Sequence, residues 1–160
     1  MQLSSFRKLQ RLSADQRWLL AQALVLLPLT LLGVYAVGVK RWQRALDRLF
    51  AGRRSTKHSV AIGNDEAASE RARLIARMVR IAAEYGIYRA NCLQQSLVLW
   101  WLLRRESVES EIRFGARKEE SRVQAHAWVE CFGIALSEDG DICRHFLPFE
   151  GSAVTAQTEI

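Results

Sequence analysis

Apolar and polar positions follow three different periods along this chain, and each period predicts its own kind of element. Residues 18–39 are almost wholly apolar, interrupted by Gln22, Pro28, Thr30, Gly33 and Gly38. Just ahead, Ser13-Ala14-Asp15-Gln16 has the Ser-x-x-Gln form of a capping box, so a helix is expected to begin at Ala14. The apolar run is long enough to cross a bilayer, which takes ~20 such residues. Gln22, Pro28 and Gly33 weaken a clean span. A helix broken near Pro28, buried in the domain or lying against a membrane surface, is the preferred reading.

Residues 40–50 predict a short basic helix with Trp42, Leu46, Leu49 and Phe50 on its apolar side. Residues 51–63 are polar, basic and glycine-bearing, hence a loop. Asn64 or Asp65 caps the next helix, over 67–83, which carries Leu74, Ile75, Met78, Ile81 and Ala82 on one face and stops at Gly86. Asn91-Cys92 then opens a further helix. Its apolar residues Leu93, Leu97, Trp100, Trp101, Leu102 and Leu103 recur at spacings of three and four, and Arg104-Arg105 suits its C-terminal dipole end.

Beyond Arg105 the period drops to two. Ile112, Phe114 and Ala116 alternate with Arg113, Gly115 and Arg117, which predicts a strand. After a polar connection over 118–121, a second strand covers 122–132. It carries Gln124, His126, Trp128 and Glu130 on one face and Val123, Ala125, Ala127, Val129 and Cys131 on the other. Gly133 is a turn or bulge, residues 134–138 are a third strand, residues 146–149 return to the sheet, and 151–160 read as a tail. Helices followed by an antiparallel meander make the fold α+β rather than doubly wound. The organisation expected is an apolar and basic helical part over 1–63, a core over 64–150 and the tail.

With 160 residues and 49% apolar content, the chain has enough for a core, which excludes a disordered or low-complexity class. The formal charge of +6 and pI near 9.7 favour an anionic partner. Lys40, Arg41, Arg44, Arg48, Arg53, Arg54 and Lys57 are concentrated in one stretch. No nucleic-acid motif accompanies the charge, so a nucleic-acid partner is not expected. No glycine-rich phosphate loop is present. Cys92, Cys131 and Cys143 form no disulfide framework, and no cleavable signal peptide precedes the apolar run. The simplest compartment is the reducing cytoplasm, with membrane association open. Cys131, Cys143, His126 and His145 lack the close pair spacing of a zinc site, so neither metal nor cofactor is expected.

The chemistry lies in Cys92 and His126. A thiol in the first turn of a helix meets unpaired N–H groups and the positive end of the dipole, which favour its thiolate. The same N–H groups can hold an oxyanion. A thiolate nucleophile needs a base, and His126 supplies one if the helix packs over its face of the sheet. A third group should orient the imidazole from the neighbouring strand. Alternation puts Ile134, Leu136 and Glu138 together, so Glu138 is the first choice, Asp139 the second if Gly133 shifts the parity, and Asp141 a distant third.

Four segments taken in order resemble a known family: Cys-Leu-x-x-Ser-Leu-x-Leu-x-x-Leu-Leu-Arg-Arg from 92, Arg-Phe-Gly-Ala-Arg-Lys from 113, Ala-His-Ala-Trp-Val-Glu from 125 and Gly-x-x-Leu from 133. They are similar to the transglutaminase-like cysteine peptidases of lasso peptide biosynthesis, the protease part of the B protein. The resemblance runs from about Ser13 to Phe149. It implies a papain-like core, a cysteine at Cys92 and a histidine at His126. The family's acidic residue, most often aspartate, falls on Glu138, and glutamate there is a departure that leaves Asp139 in play. The implied activity is removal of the leader from a ribosomally made precursor peptide, with the core handed to an ATP-dependent cyclase that forms a macrolactam. Few residues precede the capping box, so leader recognition is expected from a separate protein. A transglutaminase-like acyltransferase and a non-enzymatic membrane-associated binding protein are the alternatives.

Overall fold

A computed structural model describes residues 12–50, 65–119, 122–136 and 146–149. Helix α1 (Ala14–Val37) opens on the anticipated box: Ser13 Oγ accepts from the Gln16 N–H at 3.2 Å, and Gln16 Oε1 accepts from the Ser13 N–H at 3.0 Å. The expected break near Pro28 does not occur. The helix continues through Pro28, which costs it one backbone bond, and ends at Gly38, whose φ of 79° favours glycine. Helix α2 (Val39–Phe50) follows directly. Gly33 lets the two helices meet closely, because a Cβ there would lie 2.2 Å from ring atoms of Trp42.

Helices α3 (Asp65–Tyr85) and α4 (Cys92–Arg105) complete the helical layer. One core runs through all of it: Leu19, Ala23 and Leu27 of α1, Leu46 of α2, Ile75, Met78 and Val79 of α3 and Leu97, Trp100 and Leu103 of α4 are buried together. Arg71 of α3 ties three helices by their ends. Its guanidinium donates to Glu106 just past α4, at 2.6 and 2.8 Å, and to Asp15 in the first turn of α1.

The sheet has the order β3-β2-β1-β4 and is antiparallel throughout. Strands β1 (Glu111–Glu119) and β2 (Arg122–Cys131) form its long hairpin. Short β3 (Ile134–Ala135) and β4 (Leu147–Pro148) flank it, so residues 146–149 do return to the sheet. The β2–β3 turn is Phe132-Gly133, with both φ values positive (52° and 74°), as a two-residue type I′ hairpin requires. Described helices plus this antiparallel sheet make the fold α+β, as anticipated.

The register assigns the two faces. Ile112 stands opposite Val129 and Phe114 opposite Ala127, while Arg113 stands opposite Trp128 and Gly115 opposite His126. Ile112, Val129 and Cys131 belong to the helical core. The helices therefore cover the Val129 face, and not the His126 face as alternation alone suggested. Both faces of β2 are buried around residues 127–129, so burial periodicity there is lost. Apolar content could not tell which side the helix takes.

Candidate active site

Cys92 is the first residue of α4, and the turn beneath it is fixed by a second reciprocal capping box. Asn91 Oδ1 accepts from the Gln94 N–H at 2.9 Å, and Gln94 Oε1 accepts from the Asn91 N–H at 3.1 Å. Sequence reasoning found the helix start but missed this box, although Asn-x-x-Gln spelled it. Gln95 adds a bond from Nε2 to the Ala90 carbonyl at 2.8 Å. The Gln95 N–H is satisfied by the Asn91 carbonyl, which leaves the N–H groups of Cys92 and Leu93 as the open donors of the first turn.

The thiol is half-buried and lines a cavity of about 720 Å³ between α3, α4 and the β2–β3 edge. Gln95, Ser96 and Leu99 of α4, Ala127 and Val129 of β2 and Leu136 form much of its wall. Cys92 and His126 both line it. They are not hydrogen-bonded to each other. The His126 ring stacks on Phe146 (centroids 5.0 Å apart) and lies near Trp128 (6.3 Å), on the face that also carries Gly115 and Glu130. Trp128 is anchored in turn by Nε1 donating to Glu130 at 2.9 Å. Burial lowers the His126 pKa from its ordinary value, which keeps the ring neutral near pH 7.

Cys131 is a different kind of cysteine. It is core, and burial together with the Glu109 charge pushes its thiol up to about 11. The described residues contain no cluster suited to a metal. Glu138, Asp139, Asp141, Cys143 and His145 lie outside the described residues. Ile134 pairs with Cys131 and Ala135 with Glu130, and the Leu136 N–H donates to the Val129 carbonyl. Ile134 and Leu136 thus share the face of Cys131 and Val129, not that of His126.

A thiol at the start of a helix, laid beside an antiparallel sheet that carries a histidine, is the arrangement of cysteine-dependent acyl-transfer enzymes. The chain belongs to the transglutaminase-like superfamily, whose family model matches residues 33–149. That superfamily includes cysteine peptidases and acyltransferases, and its members are typically cysteine-dependent enzymes. No curated protein and no solved structure matches the chain.

Proposed function

We propose that this protein is a cysteine peptidase that removes the leader from a ribosomally made lasso peptide precursor. It acts with a separate leader-recognition protein and an ATP-dependent cyclase. The observation that carries the reading is Cys92 at the capped start of α4, in a cavity it shares with His126. His126 takes the proton of the Cys92 thiol, the resulting thiolate attacks the carbonyl carbon at the leader–core junction, and the Cys92 and Leu93 N–H groups receive the oxyanion. The C–N bond breaks as His126 gives a proton to the amine of the core. Water, deprotonated by His126, then hydrolyses the thioester and frees the leader as an acid. This sequence requires the imidazole to come within hydrogen-bond reach of the thiol, in keeping with catalytic hydrogen bonds that tighten only when substrate binds. Glu138, or Asp139 in its place, orients the ring.

The test is incubation with a candidate precursor and its recognition protein, read by mass. Leader loss is expected with the partner, far slower cleavage without it, and none for Cys92→Ala. A fully active Cys92→Ala protein overturns the reading. Glu138→Gln and Asp139→Asn, made separately, identify the orienting carboxylate by which of them lowers kcat. A product carrying an amine in place of water identifies the acyltransferase alternative.

One observation also favours work at a lipid surface. Helix α1 is apolar on both sides: Leu19, Ala23, Leu27 and Gly33 face the core, while Trp18, Val25, Leu29, Leu32 (64% exposed) and Tyr35 (92% exposed) face outward. A helix lying on a purely aqueous surface carries polar residues there. Beside this face, Lys40, Arg41, Arg44 and Arg48 of α2 are exposed, the complement of anionic headgroups. Flotation with vesicles containing phosphatidylglycerol is expected, and Leu32→Glu/Tyr35→Glu should abolish it. A wild-type protein that stays with the unbound fraction rules this out.

A further inference from the structure

The wall of the cavity opposite the sheet is basic. Arg73, Arg77 and Arg80 of α3 are spaced by four and three residues, so they share one helix face, and all three line the cavity that holds Cys92. No carboxylate stands among the described lining residues. This chain does pair arginines where they serve the fold, as Arg71 shows with Asp15 and Glu106 and Arg113 with Glu111 and Glu130. Arg73 and Arg77 are exposed and make no ion pair with any described residue. At ~720 Å³ the cavity is in the range that holds a ligand of several residues' bulk, and its apolar floor of Ala127, Val129 and Leu136 lowers the local dielectric.

We propose that Arg73, Arg77 and Arg80 form an anion subsite that seats an acidic side chain of the substrate peptide beside the bond attacked by Cys92. Guanidinium groups bind carboxylates through two parallel N–H···O bonds, and a row of them on one helix face gives such a side chain a fixed direction as well as a charge. The subsite deepens the peptidase reading by naming a substrate class, an acidic residue next to the scissile bond, and it rests on that reading for its biological meaning. The binding chemistry itself does not require turnover, and the alternative is a merely solvated helix face.

The test separates the two. Cys92 is alkylated with iodoacetate, which is anionic, and with iodoacetamide, which is neutral, in 20 mM salt, and the modified peptide is quantified by mass. The subsite predicts that the iodoacetate:iodoacetamide rate ratio at Cys92 exceeds that of free cysteine severalfold. It predicts that Arg73→Gln/Arg77→Gln lowers the ratio at least fivefold, and that 0.5 M salt lowers it similarly in the wild type. Both positions are exposed, and an unchanged circular dichroism spectrum and urea midpoint show that the variant is folded. A ratio equal to that of free cysteine, or one unmoved in the folded variant, overturns the subsite whatever the enzyme cleaves. A second arm uses precursor peptides with Glu or Gln next to the junction. The double variant should raise KM for the Glu peptide only, and an equal effect on both peptides overturns the specificity role. If no precursor is cleaved while the alkylation ratio falls as described, the leader-peptidase reading fails and the anion subsite stands.

Discussion

Asn91 gives a direct handle on the candidate site, because its side chain caps α4 one residue before the thiol. Replacing it with alanine removes the Oδ1 acceptor of the Gln94 N–H, a bond of 2.9 Å in a part-buried turn where Gln94 is itself buried. Loss of an Asn cap costs ~0.5–2 kcal/mol, typically ~1. The rest of α4 is held by Leu97, Trp100, Leu102 and Leu103 in the core, so the damage stays in the first turn. For a domain of this size, the loss is expected to lower Tm by about 2–6 °C. Asn91→Asp should behave differently. The carboxylate still accepts from the Gln94 N–H, so stability stays within about 0.5 kcal/mol of wild type. It also places a negative charge on the residue next to the thiol, and a unit charge ~6 Å away opposes a thiolate by ~0.7 kcal/mol at the dielectric of water and ~3 kcal/mol at an effective value of 20. At pH 7, iodoacetamide should then alkylate Cys92 about 3- to 100-fold more slowly. The assays are urea unfolding and alkylation read at the Cys92 peptide. Should Asn91→Asp be folded and alkylated at the wild-type rate, charge at the helix start does not govern this thiol. An Asn91→Ala protein that unfolds at the wild-type midpoint would show that the box does not hold the turn.

Three further outcomes are expected. Gly33→Ala should destabilise by ~1–3 kcal/mol in urea despite its better helix propensity, because the new methyl meets the Trp42 ring. Arg71→Ala should cost ~1–3 kcal/mol, since it strands Glu106 and unties the ends of α1, α3 and α4; the wild-type advantage should fade as pH falls through the Asp15 titration, which the Arg71 guanidinium holds below the usual carboxylate range. His126 has a folded pKa below that of the unfolded chain, so the unfolded state takes the proton first; stability should fall as pH drops through ~6.5, level off below the folded value, and lose this component in His126→Asn, as urea midpoints from pH 8 to 5 would register.

Much of the fold was legible because its signals are local. The Ser13 box, the 3.6-residue period after Cys92 and the alternation from Ile112 each depend on a few neighbouring residues, and each appears where the sequence puts it. What was not legible depends on energies spread over the whole fold. Pro28 reads as a break, yet Leu19, Ala23, Leu27 and Gly33 stay buried along one continuous helix, and that burial outweighs one lost backbone bond. The start of α4 and the strand position of His126 were equally plain. The side of the sheet that α4 takes was not, because Trp128 and Val129 are both buried from opposite faces.

That choice of side shapes the chemistry open to the cavity. The thiol shares its cavity with Ala127, Val129 and Leu136 and with the arginines of α3, while the imidazole stacks on Phe146, the residue just ahead of the strand that pairs with Gly115 and Ala116. The ring thus stacks on the residue just ahead of the two-residue strand β4, whereas the thiol opens a capped helix of the core. Of the two, the histidine is the one that Phe146 touches. Phe146→Ala would relieve the burial that depresses its pKa, so an NMR titration should find His126 taking its proton at higher pH in that variant. An unchanged titration would mean that Trp128 and the strand, rather than Phe146, bury the ring.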